Sequence, residues 1–362
     1  TESMTRITRR VLSTIALFSA TITCQLHAAD RLPNVVVIFA DDLGYGDLSC
    51  YGATKLHTPN IDRLAREGRR FTDAHSASAV CTPSRYALLT GEYPLRKNLS
   101  KPVFLKTGLV IDTKQQTIAS VMKDAGYSTA CIGKWHLGLG WQFYSEGVDS
   151  ADFSKPVSGG PTALGFNYFF GITASLDIPP YVYIENDLAT VVPTHYTENQ
   201  SDMGWWRRGL TGSDFDHEQV LPVLTEKATA FIDKHMNEEA QNPFFLYFPL
   251  PAPHTPIIPT ADFLGKSHTN LYGDFMLQVD WTVGEILKSL DRHGITNETL
   301  IIFTSDNGCS PQADFDKLAE FGHDPSFTFR GAKADIFEGG HHVPFVVRWP
   351  GKIAPGSVSD QI

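Results

Sequence analysis

Asp41-Asp42 and Asp306-Asn307 each follow a short apolar run, Val35 to Ala40 in one case and Leu300 to Thr304 in the other. Three carboxylates and one amide oxygen delivered from two such ends suit a hard divalent cation, calcium or magnesium. One acidic pair after a strand is an ordinary loop cap. Two pairs shift the balance, because clustered carboxylates repel one another without a cation. No Cys or His spacing favours zinc. Cys81 opens the run Cys81-Thr82-Pro83-Ser84-Arg85, whose early proline and apolar Ala87, Leu88 and Leu89 predict a helix that ends near Gly91. A cysteine at that positive helix end, beside a guanidinium, sits where a thiolate or any developing anion is stabilised. An inert buried thiol is the commoner fate of a free cysteine. Lys134 and His136 follow a third apolar run, Tyr127 to Ile132, and a fourth, Phe244 to Leu250, runs towards His254 between Pro253 and Pro256. Arg330, Lys333, His341 and His342 lie in a Gly-rich stretch before Val343 to Val347, a pattern that a solvated turn would also show.

Four apolar strands that each deliver a charged or metal-competent residue past the C-terminal end match the way open α/β sheets place ligands. Thr58-Pro59 predicts a helix start with Ile61, Leu64 and Ala65 on one face and Gly68 as the stop. Thr117 predicts a second cap, ahead of Ile118, Val121, Met122 and Ala125, with Gly126 closing. Helical spacing of Met276, Val279, Val283, Ile286, Leu287 and Leu290 predicts a helix from Asp274 to His293. The alternation reads as a doubly wound α/β fold. The stretch from Ser145 to Asp216 reads as irregular insertions able to wall a pocket, where Trp205, Trp206, Tyr181 and Tyr183 would stack on sugars or simply pack.

Of 362 residues, 42% are hydrophobic and 19% charged, which excludes disorder, collagen and coiled coil. The net charge of −10 argues against a nucleic-acid-coating surface or a polybasic membrane patch, so any bound anion needs a local cluster of bases. Cysteines at 24, 50, 81, 131 and 309 form no disulfide framework. Residues 1–28, with Arg6, Arg9 and Arg10 before the apolar run Val11 to Thr23, read as a secretory signal peptide rather than a membrane span, and Cys24 lacks the residues of a lipoprotein anchor before it. An exported protein, periplasmic or secreted, is the expectation. Nucleotide-binding, zincin and serine-hydrolase motifs are absent.

Cys81-Thr82-Pro83-Ser84-Arg85-Tyr86-Ala87-Leu88-Leu89-Thr90-Gly91 resembles the first signature of the type I sulfatases, C-x-P-S-R-x-x-L-x-T-G, at every fixed position. Gly126 to His136 resembles their second signature, and Pro33 to Asp47 looks like the arylsulfatase A-like branch. The resemblance runs from about Pro33 to the last residue. It implies a large, mostly parallel sheet flanked by helices, as in the alkaline phosphatase superfamily. It also implies that a formylglycine-generating enzyme oxidises Cys81 to Cα-formylglycine, whose hydrate attacks sulfur and later collapses to release inorganic sulfate. Asp41, Asp42, Asp306 and Asn307 would hold calcium, which also touches the formylglycine at position 81. Arg85 would orient the hydrate, Lys134 and Lys333 would grip the sulfate, His136 would be the collapse-step base, and His254 would serve the leaving oxygen. Ser175 lines up with a sulfate-contacting serine.

Family members usually continue past the Gly351 turn into a small antiparallel subdomain, whereas this chain stops at Ser359-Asp360-Gln361-Ile362. The expectation is a catalytic domain over 29–362 with its C-terminal subdomain missing or incomplete. A calcium-dependent hydrolase of sulfated small molecules or carbohydrates is the preferred reading. A phosphonate or phosphate-ester hydrolase of the same superfamily and an inactive calcium- or glycan-binding fragment are the alternatives.

Overall fold

Residues 32–145 and 150–361 are described by the computed structural model, so the leader-like segment 1–28 and Cys24 lie outside the described residues. The chain begins with β1 (Asn34–Asp41), α1 (Pro59–Glu67), β2 (Arg69–Phe71), α2 (Cys81–Thr90), α3 (Ile118–Asp124) and β3 (Ser128–Lys134). It continues through β4 (Tyr168–Ile172), β5 (Tyr183–Glu185), β6 (Leu188–Ala189), β7 (His195–Asn199), β8 (Trp206–Thr211), α4 (Val220–Glu238) and β9 (Phe244–Pro253). The last elements are α5 (Leu271–Arg292), β10 (Thr299–Ser305), α6 (Phe315–Glu320), α7 (Glu338–His341), β11 (Phe345–Arg348) and β12 (Ser357–Ser359).

β1 is buried at every position, as a strand covered on both faces must be. Its alternate residues serve two separate apolar layers. Val36, Ile38 and Ala40 pack with α1, α4 and α5, while Val35, Val37 and Phe39 pack with Tyr86 and Leu89 of α2 and Ala119 of α3. Among the described residues the sheet has ten strands in the order β12-β2-β11-β10-β1-β9-β3-β4-β5-β6. Its centre, from β10 to β4, is parallel, and β11 and β5 turn antiparallel on either side. The register sets Ala40 opposite Ser305 and Asp41 opposite Pro253, so the C-terminal ends of β1, β9 and β10 open at one edge. Gly133 has φ of +138°, and a Cβ there would lie 1.9 Å from Pro249 O, so only glycine lets β3 lie this close to β9.

The expected α/β architecture is observed, with differences in detail. Thr58 makes no side-chain cap; Asp280 of α5 accepts from Asn60 N at 3.0 Å and Ile61 N at 2.9 Å instead, capping α1 from another helix. Thr117 does cap α3, accepting from Ser120 N at 3.0 Å. Ile118 and Val121 are nevertheless exposed, because the short helix buries Ala119. α5 starts three residues earlier than expected, where Asn270 caps it by accepting from Tyr272 N and Gly273 N. The stretch from Ser145 to Asp216 is not irregular throughout: it supplies β4 to the parallel sheet, the β5 and β6 edge, and a separate β7–β8 hairpin.

Candidate active site

α2 begins at Cys81 and ends with Gly91 in the left-handed region at φ +66°, closing on Ala87 O. Only one side of this helix is partly exposed, and Cys81 and Arg85 are buried with relative exposures of 1% and 0%. One helical turn apart, both face the strand ends. Arg85 reaches Asp306 Oδ2 through Nη2 at 2.8 Å and Nε at 3.2 Å, lies 3.4 Å from Asp41 Oδ1, and donates to Lys134 O at 3.0 Å. Lys134 Nζ bonds Asp41 Oδ2 at 2.5 Å, and Lys333 Nζ bonds Asp42 Oδ2 at 2.7 Å. Asn307 Nδ2 donates to Asp42 Oδ1 at 2.7 Å, and Asp42 N to Asp306 Oδ1 at 3.2 Å. Asp42 and His136 hold φ of +64° and +54°, left-handed values that bend the chain sharply after β1 and β3.

His136 Nδ1 lies 3.3 Å from Cys81 Sγ. Its other nitrogen, Nε2, is 3.1 Å from Val103 O, a group that only accepts, so the ring proton sits on Nε2 and the Nδ1 lone pair faces Cys81. Thr82 Oγ1 donates to His136 O at 2.8 Å and fixes the same loop. His254 has Nδ1 2.5 Å from Thr255 O and Nε2 3.6 Å from Asp42 Oδ2. His254, Thr255, Lys333, Asp177, Trp205, Arg207 and Gln312 line a cavity of about 630 Å³ at the mouth.

Electrostatics follow from burial and from these pairings. Burial opposes ionisation of Asp41, but Lys134, His254 and Arg85 together hold it well below the carboxylate range. Burial and then the neighbouring charge of Asp41 push Asp306 up to about 7. Burial pushes His136 down, with Lys134 and Arg85 adding repulsion, and burial followed by Lys333 lowers His254. Cys81 corrects an expectation. Burial raises its thiol although Lys134 and Lys333 pull the other way, so the helix end does not make it a ready thiolate.

Eight of the anticipated residues therefore meet: Asp41, Asp42, Cys81, Arg85, Lys134, Asp306, Asn307 and Lys333 are joined by contacts at the strand ends, with His136 and His254 against them. Ser175 is not tied to them: its buried hydroxyl makes no hydrogen bond among the described residues. Of the four aromatics in the variable stretch, Trp205 lines the mouth, whereas Tyr181 and Tyr183 are core residues and Trp206 stacks on His217 at 4.0 Å. Sequence reasoning missed Asp47, which accepts from Gly44 N at 2.7 Å, from His323 Nε2 at 2.8 Å and from the Tyr272 hydroxyl. This buried network braces the turn after Asp42; its only local signal is an acid five residues past the Asp pair.

The carboxylates are not unpaired, as the repulsion argument assumed, because Arg85, Lys134 and Lys333 match them charge for charge. Two oxygens still point to a cation. Among the described residues, Asp41 Oδ1 and Asn307 Oδ1 are buried without a hydrogen-bond partner, and Asp41 joins Asp42 and His254, or Cys81 and Asp306, in groups compact enough to hold a metal ion. Carboxylate and amide oxygens of this kind fit a hard divalent ion.

A family model described as sulfatase matches residues 33–362. N-acetylgalactosamine-6-O-sulfatase of Bacteroides thetaiotaomicron is 39% identical over 364 residues, covering 89% of this chain and 68% of that protein. Human steryl-sulfatase is 34% identical over 381 residues, covering 92% of this chain and 64% of its own. A solved sulfatase structure from work on the metabolism of multiple glycosaminoglycans by Bacteroides thetaiotaomicron superposes with a TM-score of 0.79 at 37% identity, over 92% of this chain and 76% of that one. The chain belongs to the sulfatase family, whose members hydrolyse sulfate esters. It spans about two thirds of the length of these curated relatives. Among the described residues, no helix is long and apolar enough to cross a membrane.

Proposed function

We propose that this chain hydrolyses sulfate esters at the Cys81 position, with sulfated carbohydrates as substrates, and does so as an exported enzyme. The observation that carries the reading is the buried meeting of Cys81 with a neutral histidine, three side-chain cations and the acidic set Asp41, Asp42, Asp306 and Asn307. In this reading Cys81 is matured by a formylglycine-generating enzyme, and the hydrated aldehyde at that position supplies the attacking oxygen. Asp41, Asp42, Asp306 and Asn307 would hold calcium, which neutralises charge on the sulfuryl oxygens.

The protein's own groups have separable parts. Arg85 has no freedom to swing, being fixed by Asp306 and the Lys134 carbonyl, so it orients whatever stands at position 81. His136 keeps its Nδ1 lone pair towards that position and is the group placed to take a proton from a hydroxyl there. Lys333 reaches the cavity at 18% side-chain exposure and, with Lys134 buried on Asp41 behind it, grips the sulfate in this reading. His254 stands at the mouth, where it can serve the leaving oxygen, and an anionic substrate beside it opposes the drop in its basicity. Ser175 joins the sulfate subsite in this reading. Three cations offset three carboxylates, of which Asp306 is pushed up to about 7, so the cluster carries no net negative charge; a divalent ion would add two positive charges, which suits an anionic ester in a protein of net charge −10.

The N-acetylgalactosamine-6-O-sulfatase relative makes a 6-sulfated N-acetylgalactosamine the first sugar to try. The test is peptide mass spectrometry across position 81 with and without a formylglycine-generating partner, followed by turnover of an aryl sulfate and an aryl phosphate. Aldehyde formed only with the partner, a dominant sulfate rate, and a loss of roughly 10⁴-fold in Cys81→Ala are expected. A persistent thiol in folded protein, or a dominant phosphate rate, overturns the reading.

A further inference from the structure

Two loops beside the active-site mouth carry a second group of metal-competent side chains. Residues 72–80 lead into α2 and Cys81, and residues 334–342 follow Lys333. Backbone bonds zip the two loops together: Ser76 N to His341 O at 2.9 Å, Val343 N to Ala74 O at 3.0 Å, and Ala334 N to Ala79 O at 2.9 Å. Along this seam Glu338 Oε2 lies 2.9 Å from His75 Nε2 and 2.7 Å from His342 Nδ1. The His75 ring centroid is 5.2 Å from that of His341 and 4.5 Å from that of His342.

The positions of the ring protons point to a ligand. His342 Nε2 is 2.9 Å from Thr72 O, and His341 Nε2 is 3.1 Å from Ile336 O. A carbonyl only accepts, so both rings carry a proton on Nε2, and their neutral forms expose a lone pair on Nδ1. In His342 that lone pair meets a carboxylate oxygen of Glu338. Two acceptors at this distance are satisfied only by a cation between them, either a proton or a metal ion. A histidine whose second nitrogen donates to a backbone carbonyl is also how metal-binding imidazoles are oriented.

We infer that His75, Glu338 and His341, with His342 beside them, form a binding site for a zinc-like transition-metal ion distinct from the acidic cluster at Asp41. The ligand atoms of His75, Glu338 and His341 lie within 4.8 Å of one another. Zinc with bonds of about 2.0–2.1 Å needs neighbouring ligands about 3.3 Å apart, so rotation of the half-exposed Glu338 side chain must be joined by a shift of the His75 and His341 rings towards each other. Imidazoles with a carboxylate select zinc, cobalt or copper over calcium, whereas the oxygen set at Asp41 selects the reverse. An ion here would tie the loop that leads into Cys81 to the loop that carries Lys333, so its binding adds to the stability of both.

The test uses the full chain with calcium in excess, cobalt as the visible probe and zinc as its competitor. One equivalent of cobalt giving a tetrahedral absorption band, displaced by zinc, is expected. In His75→Ala/His341→Ala its affinity falls at least tenfold, and the zinc-induced rise in Tm disappears. Aryl sulfate turnover in calcium alone changes less than twofold in that variant. Equal cobalt affinity in wild type and variant overturns the inference, as does binding lost in Asp42→Asn but kept in the histidine variant. Should the double variant fail to fold, Glu338→Gln carries the same comparison, since its side chain is half exposed.

Discussion

One cavity lies at the N-terminal end of β3 and a smaller one at the mouth beside His254 and Lys333, and the larger lacks the buried charge cluster that sits by the smaller. The space at the N-terminal end of β3, about 760 Å³, is bordered by Ser128, Tyr168, Lys227, Phe231, Lys234 and Glu238. Its ion pair between Lys234 and Glu238 spans 3.9 Å with both side chains more than half exposed, and Tyr168 stacks flat on Phe231. At the other end Lys134 and its neighbours sit under a cavity of about 630 Å³ with side-chain exposures at or near zero. Exposed pairs contribute little and tolerate change, whereas buried charges are costly to isolate and are held in one geometry by their partners. Size therefore does not mark the site; desolvated charge at the C-terminal ends of parallel strands does.

The contrast is broken most severely at Arg85. Arg85→Met would leave Asp306 and Asp41 facing each other without their shared guanidinium, and a loss of about 3–5 kcal/mol of stability is expected. Urea unfolding with and without calcium measures it, and calcium should recover part of the loss by taking over charge compensation. Turnover falls as well, since Arg85 is the group proposed to orient what stands at position 81. Lys234→Ala at the opposite end should stay within about 0.5 kcal/mol and keep full activity. Equal effects of the two substitutions would mean that burial has been misjudged as the deciding difference.

A smaller effect separates the reacting centre from its wall. Arg207 bonds Asp177 and lies over the Trp205 ring at 4.9 Å, all three on the mouth and none in contact with Cys81. Trp205→Ala should cut kcat/KM on a 6-sulfated sugar about tenfold, the 1.4 kcal/mol that one lost stacking surface can supply. On a small aryl sulfate the change should stay under about threefold, because the strand-end groups are untouched. Equal losses on both substrates would place Trp205 in the chemistry instead of in recognition.

What was legible in the chain follows the same division. Apolar runs such as Val35 to Ala40, and the early Pro83 ahead of Ala87, Leu88 and Leu89, are local, so four of the strands, α2 and the residues that follow those strands could be placed from the sequence. Asp280 capping α1 across 220 residues, and Asp47 braced by Tyr272 and His323, leave no local pattern, because each partner is supplied by a distant turn of the fold. The stretch from Ser145 to Asp216 misled for another reason. Short strands with Gly and Pro between them carry too few residues to show a period of two, so β4 and the β7–β8 hairpin read as irregular insertion.

The finest test probes a titrating group behind that wall. His217 stacks on Trp206, meets Tyr181 edge-on at 4.5 Å and Phe215 at 5.1 Å, and its Nε2 has no partner among the described residues. Burial pushes its pKa down to about 4 from an ordinary 6.5. The unfolded chain therefore takes up the proton first as pH falls, so the stability this neutral ring contributes is complete above about pH 7. It is lost progressively between about pH 6.5 and 4, by up to about 3 kcal/mol. His217→Phe keeps the packing and removes the titration. Its urea midpoint should lie below that of the native chain at pH 7 and approach or exceed it at pH 4, while all other titrating groups cancel in the comparison. A gap that stays constant from pH 8 to pH 4 would show that the ring is protonated as readily in the fold as out of it, and that His217 is not desolvated by Trp206, Tyr181 and Phe215.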